Sequence, residues 1–63
     1  MRKEYIESRI DEINARISNV QIMTECERKK GKLLEVRLLE QKEAKLIQEK
    51  KEWEAKLEVA NGI

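Results

Sequence analysis

Isoleucines recur at intervals of three or four residues through the first third of the chain, and this spacing restricts the folds that the chain can adopt. The apolar positions are Ile6, Ile10, Ile13, Ile17 and Val20. Spacings of four, three, four and three residues place these side chains along one side of an α-helix, as in the seam of a coiled coil. The intervening residues are mostly polar, so the sequence predicts a helix with one narrow apolar stripe.

A second stripe follows in the back half of the chain, in a different heptad frame. Its positions are Val36, Leu39, Glu43, Leu46, Lys50, Trp53, Leu57 and Ala60. The frame of the first stripe, continued without a break, would instead place polar residues in the seam, namely Gln41, Lys45, Gln48 and Glu52. The repeat must therefore break between the two stripes. Within the second stripe, Glu43 and Lys50 are interpreted as polar seam residues that specify register at some cost in stability.

Gly31 lies between the two stripes and directly follows three cations. Cations at a helix C-terminus face the negative end of the helix dipole, and glycine readily adopts the left-handed conformation that follows a helix. We therefore predict a first helix at about residues 2–29, a turn at about 30–32 and a second helix at about 33–61, within a single domain of residues 1–63.

Folding the chain back at Gly31 brings the two stripes into one register. Residues whose numbers add up to 63 then face one another, as in the pairs Ile6–Leu57, Ile10–Trp53 and Ile17–Leu46. Each layer joins an a position to a d position, as antiparallel coiled coils do. The predicted fold is all-α, an antiparallel helical hairpin of the coiled-coil type. The alternative is a long continuous helix in an antiparallel coiled-coil dimer, because a glycine inside a helix costs only ~1 kcal/mol.

A chain of 63 residues supplies a core worth only ~3–5 kcal/mol by itself, and usually needs a disulfide, a metal or a second chain. The single cysteine, Cys26, cannot pair internally, and without histidine it offers too few ligands for zinc. Two hairpins are therefore expected to dimerise into a four-helix bundle. The side chains expected to form the self-association seam are Ile6, Ile10, Ile13, Ile17, Val20, Leu39, Leu46, Trp53 and Leu57.

Further apolar or small residues lie off the seam, where they can form a second stripe for a partner. They are Ile22, Met23, Cys26, Leu33, Leu34, Leu38, Ala44 and Ile47. We expect a small non-enzymatic interaction protein that binds, and so inhibits or adapts, a larger protein partner through a coiled-coil surface, as a homodimer. A short reading frame that begins at Met1 is typical of small regulatory proteins of phages, plasmids and bacteria.

One basic cluster stands out, and it surrounds the predicted turn. It consists of Arg28, Lys29, Lys30 and Lys32. Such cations can bind phosphate, which makes nucleic-acid contact an alternative function. In its length and central turn the chain resembles the small helical hairpins that dimerise into Rop-type bundles, which bind paired RNA loops. The resemblance implies an RNA- or DNA-binding regulator that uses the basic turn, and a structural coiled-coil spacer is a third alternative.

Other classes of function find little support in the sequence. It has no recognised catalytic motif, phosphate-binding loop or histidine base, so we expect no enzymatic activity, cofactor or metal. The net charge of +1 provides no overall field for nucleic acid or membrane. No apolar run approaches the ~18–20 residues that cross a bilayer, and the N-terminus lacks the apolar segment of a signal peptide. A lone free thiol fits a reducing compartment, so the expected location is the cytoplasm.

Overall fold

The computed structural model describes residues 2–62 and contains two helices joined by a short turn. Helix α1 spans Lys3–Lys29 and helix α2 spans Leu33–Asn61. The helices pack against each other as an antiparallel hairpin, and residues 2–62 contain no strand. The predicted all-α hairpin is therefore confirmed, and the alternative of one uninterrupted helix is wrong. Met1 and Ile63, the ends of the predicted domain, lie outside the described residues.

The chain reverses at Gly31, whose φ of 76° lies in the left-handed region. Two backbone amides close the end of α1: Gly31 N donates to the Arg28 carbonyl oxygen at 3.0 Å, and Lys32 N donates to that of Glu27 at 3.0 Å. This pair of bonds is the Schellman motif, which satisfies carbonyl groups left free at a helix end. A β-carbon at Gly31 would meet no atom within 4 Å, so backbone conformation, and not space, favours glycine here.

The core is a single row of side chains between α1 and α2. Its centre consists of Ile13, Val20 and Leu46, with Ile17, Leu39 and Trp53 packed around it. Buried Ile6 continues the row toward the open end of the hairpin, and buried Thr24 and Val36 continue it toward the turn. Since these positions follow one another at intervals of three, four or seven residues, the helical period itself selects which side chains enter the core.

Polar residues occupy three positions of the same row. The hydroxyl of Thr24 donates to the carbonyl oxygen of Val20 at 2.7 Å, so this buried group keeps a hydrogen bond. Glu43 and Lys50 are half-buried, at the border between the core and water. Long charged side chains at such a border cover apolar neighbours with their methylene groups while their charges stay hydrated. The interpretation of Glu43 and Lys50 as residues that specify register stays a prediction.

The hairpin is a rod two helices wide and one helix thick. Its Cα atoms extend over 49 × 14 × 12 Å with a radius of gyration of 14.6 Å, whereas a compact domain of this length has a radius of about 11 Å. The accessible surface is 5001 Å², against about 4,200 Å² for a compact monomer of this mass. Because a single hairpin has no second layer, both broad faces of the rod are open to solvent.

Candidate protein-interaction face

The nine residues predicted to form the self-association seam lie between α1 and α2 of the same chain. Ile6, Ile13, Val20 and Leu46 are buried there, and the other five are half-buried. These side chains hold the hairpin closed, and their contact with a second chain stays a prediction. A partner that meets the folded hairpin must therefore contact side chains on the outer surface of the rod.

Large apolar side chains are exposed mainly beside the turn. Among the residues that the structure describes, eight large apolar residues are exposed, and five of these lie between residues 22 and 38. The five are Ile22, Met23, Leu33, Leu34 and Leu38, with exposed fractions between 49% and 75%. The other three are Tyr5, Ile47 and Val59. The turn-proximal half of the rod therefore carries most of the uncovered apolar surface.

Five exposed residues beside the turn form one continuous surface, which we call the turn patch: Ile22, Met23, Cys26, Leu34 and Leu38. On α1, Cys26 follows Met23 by three residues and Ile22 by four, so the three side chains adjoin on the helix surface. On α2, Leu34 and Leu38 adjoin in the same way. Met23 and Leu38 line one groove between the helices, and this groove connects the two halves of the patch.

Two shallow grooves run along this side of the rod. The groove nearer the turn is lined by Met23, Glu27, Glu35, Leu38 and Leu39. The groove nearer the middle is lined by Arg16, Asn19, Val20, Met23, Lys42 and Leu46. Because Met23 borders both grooves, they lie on the same side of the hairpin. We call this side, including the turn patch, the groove face.

Charged residues of alternating sign follow α2 along the groove face. They are Glu35, Lys42, Glu49 and Lys56, spaced seven residues apart. A seven-residue interval is two helical turns to within about 20°, so the four residues lie on one side of α2. Glu35 and Lys42 line the two grooves, and Lys56 extends the row to the open end of the rod. The row was not among the predicted sites, although its regular seven-residue spacing is visible in the sequence.

A cluster of aromatic and cationic side chains closes the open end of the rod around Trp53. The Tyr5 ring packs edge to face on the indole, with ring centroids 5.9 Å apart at an angle of 68°. The Lys56 ammonium lies 4.3 Å from the indole centroid, and the guanidinium carbon of Arg9 lies 5.7 Å from it. Cations are attracted to the electron-rich face of an indole. Trp53 thus links the core to the groove face. The predicted layer paired Trp53 with Ile10 and did not include the contacts with Tyr5, Arg9 and Lys56.

Glu12 bridges two arginines of α1. Arg9 Nη1 donates to Glu12 Oε2 at 2.9 Å, and Arg16 Nη2 donates to Glu12 Oε1 at 2.7 Å. Exposed pairs of this kind add only ~0.3–0.5 kcal/mol each to helix stability. Their main effect here is electrostatic, because one carboxylate partly offsets the two cations in the middle of the rod.

The basic cluster at the turn is largely paired with carboxylates of the same chain. Its four cations are Arg28, Lys29, Lys30 and Lys32, and three of them lie within 4.0 Å of a glutamate oxygen. The glutamates are Glu25, Glu27 and Glu40. The Arg28–Glu40 contact, at 3.9 Å, joins the two helices. Acidic neighbours therefore weaken the positive potential that a phosphate would meet at the turn.

Between residues 2 and 62, no three His, Cys, Asp or Glu side chains converge as a metal site requires. No helix in the described part of the chain combines the length and the apolar character needed to span a membrane. The binding features that the described residues do form are the turn patch and the groove face. The sequence matches no protein-family model, and the comparisons with curated proteins and with solved structures give no match.

Proposed function

We propose that the chain is a non-enzymatic protein-interaction module of the cytoplasm, which dimerises and binds a larger protein whose activity it inhibits or adapts. The observation that supports this proposal is the turn patch, which exposes apolar side chains on a rod without a second layer. Covering a leucine- or methionine-sized side chain contributes about 1.5–3 kcal/mol. Association through the patch therefore supplies stability that the thin core of one hairpin lacks.

The groove face suits an apolar helical surface flanked by charges. Half-buried Leu39 lines the groove beside the turn, and Met23 and Leu38 border it. Glu27 and Glu35 lie at the same groove, where they favour a second chain that carries cations beside its apolar residues. A helix that packs into such a groove is a common mode of protein recognition.

The resemblance to Rop-type hairpins implies nucleic-acid binding. The charges at the turn favour protein binding instead. Nucleic-acid affinity comes first from cations that are free to neutralise phosphates, whereas Arg28, Lys30 and Lys32 each lie beside a glutamate. A structural spacer needs a rod but gains nothing from an exposed apolar patch. The turn patch therefore favours the interaction module over both alternatives.

Sedimentation and thermal melting test this proposal. The wild-type chain should sediment as a dimer, and its Tm should rise with protein concentration over roughly a hundredfold range, because unfolding is coupled to dissociation. Leu38→Asp places a carboxylate in the turn patch and should lower both the sedimenting mass and the Tm. Ser18→Asp introduces the same charge at an exposed position outside the turn patch, and this matched control should change neither.

Two results would contradict the proposal. One is a wild-type chain that stays monomeric and melts at the same temperature at every concentration. The other is a dimer whose sedimenting mass and Tm are unchanged by Leu38→Asp. That result would show that the two chains do not associate through the turn patch. The concentration dependence of the wild-type Tm remains informative even if the Leu38→Asp chain does not fold.

A further inference from the structure

We propose that the groove face binds a second copy of this chain with the two rods antiparallel, so that α2 packs against α2 of the copy and each turn reaches the open end of the other rod. This inference rests on the proposed function, because it identifies the dimer that the function requires. The observations that carry it are the alternating charges of α2 and the two unlike ends of the groove face.

The charged row of α2 is complementary to itself when it is reversed. From the turn to the open end it reads Glu35, Lys42, Glu49 and Lys56. A two-fold axis that crosses α2 midway between Lys42 and Glu49 brings each acid beside a base of the second copy. Glu35 meets Lys56 of the second copy, Lys42 meets Glu49, and the reciprocal pairs form at the same time. Pairs of this kind set partner choice and orientation in coiled coils.

The parallel arrangement sets like charges against each other. A two-fold axis along the rod would place α1 of one copy against α2 of the other at the same height. Glu27 and Glu35 line one groove, and Arg9 and Lys56 flank the same indole; the numbers of each pair add up to about 63, so each pair lies at one height. Parallel rods would therefore bring Glu27 against Glu35 and Arg9 against Lys56. Two such repulsive layers disfavour the parallel dimer, whereas the antiparallel axis leaves one, in which Arg16 meets Arg16 of the second copy.

The same antiparallel axis brings the apolar surfaces at the two ends of the groove face together. Leu38 and Trp53 lie at equal distances along α2 from the midpoint of the charged row, so Leu38 of one copy meets Trp53 of the other. Leu34 is placed opposite Leu57 in the same way, so the α2 side of the turn patch packs over the open end of the second copy, beside exposed Tyr5. Each copy thereby covers part of the apolar surface that the other leaves exposed.

The size of the groove face fits a stable dimer. A face of 49 by 14 Å covers roughly 700 Å², so two full-length faces would together bury about 1,400 Å². Stable protein interfaces bury about 1,200–2,000 Å² in total. A dimer in which only the turn patches overlapped would bury a fraction of this area, which favours overlap along the whole rod.

A charge swap tests the pairing. Lys42→Glu sets two carboxylates against each other at each Lys42–Glu49 contact and should raise the dimer Kd roughly tenfold. The double variant K42E/E49K restores opposite charges between the copies and should recover most of the wild-type affinity. Lys51→Glu makes the same charge change at an exposed residue outside the charged row, and this control should leave the Kd within about twofold of wild type.

A distance between the copies tests the direction. The chain has one cysteine, so the variant C26S/K29C carries a single spin label near the turn, at an exposed position. Antiparallel rods hold the two labels about 35 Å apart, at 1.5 Å per residue along α1. Parallel rods hold them within roughly 20 Å, because neighbouring helix axes in a bundle lie 8–10 Å apart.

The possible outcomes separate this inference from the proposed function. A dimer with the long label distance and affinity recovered in K42E/E49K supports the antiparallel groove-face dimer. A dimer with a short label distance, or one in which Lys42→Glu acts no differently from Lys51→Glu, overturns the inference and leaves the proposed interaction module intact. A chain that is monomeric at all concentrations overturns both.

Discussion

The backbone amide of Lys32 lies 3.0 Å from the carbonyl oxygen of Glu27, and this hydrogen bond marks the point where α1 ends and the chain turns back. The side chains of the same two residues lie 3.8 Å apart, as an ammonium and a carboxylate. Gly31 makes the bond possible by adopting a φ of 76°. The reversal of the chain therefore depends on a few local contacts, and the register of the rod begins there.

Gly31→Ala should lower the free energy of unfolding by about 1–2 kcal/mol, because a β-carbon disfavours the left-handed conformation. Gly31→Asn should lower it less, since asparagine tolerates that conformation better than alanine does. Urea unfolding followed by circular dichroism, at one protein concentration, measures both. An alanine variant as stable as wild type would show that the turn does not depend on the conformation of Gly31.

Ile13→Ala should lower the free energy of unfolding by about 2–4 kcal/mol, because it removes buried methyl groups and leaves a cavity. Only 1% of Ile13 is exposed. The control is Leu33→Ala, which truncates a side chain that is 75% exposed and should cost less than about 0.5 kcal/mol. Equal losses for the two variants in urea unfolding would contradict the assignment of Ile13 to the core.

Thr24→Val should raise the free energy of unfolding by about 0.5–1 kcal/mol. The change replaces a buried hydroxyl with a methyl group of similar shape, in a row of apolar residues. Within α1 the Val20 carbonyl oxygen is already an acceptor for the helical backbone, so loss of the 2.7 Å hydroxyl bond leaves it satisfied. Thr24→Ser, which keeps the hydroxyl and removes the methyl group, should instead destabilise, and differential scanning calorimetry distinguishes the two directions.

Tyr5→Leu should lower the free energy of unfolding by about 0.5–1.5 kcal/mol, because it removes the edge-to-face contact with Trp53. Leucine keeps an apolar side chain with good helix propensity at this position, so the loss reports mainly on the ring. Val59→Leu changes a nearby exposed residue without touching that contact, and it should be neutral. Tryptophan fluorescence during urea unfolding measures both variants, and an unaltered Tyr5→Leu midpoint would refute the importance of this ring pair.

Local features of the sequence were sufficient to predict the helices, the turn and the core. The three- and four-residue spacing of the isoleucines predicts which face of α1 is buried, because helical geometry alone determines which side chains share a face. Three cations before Gly31 predict the end of α1, because glycine and cations favour a helix C-terminus whatever surrounds it. The pairs of facing residues in the two helices are then predicted as well, because only one register lets the two apolar stripes cover each other.

Only the tertiary structure decided between a hairpin and one long helix, because a glycine costs about 1 kcal/mol in a continuous helix and sequence spacing alone allows both. The rotation of α2 relative to α1 places Met23 and Leu38 in one groove and sets Arg9 and Lys56 around Trp53. That rotation depends on the summed packing of the whole seam. For this reason the sequence by itself determined the two stripes and the turn, whereas the packed helices decided which of the remaining side chains form a common face.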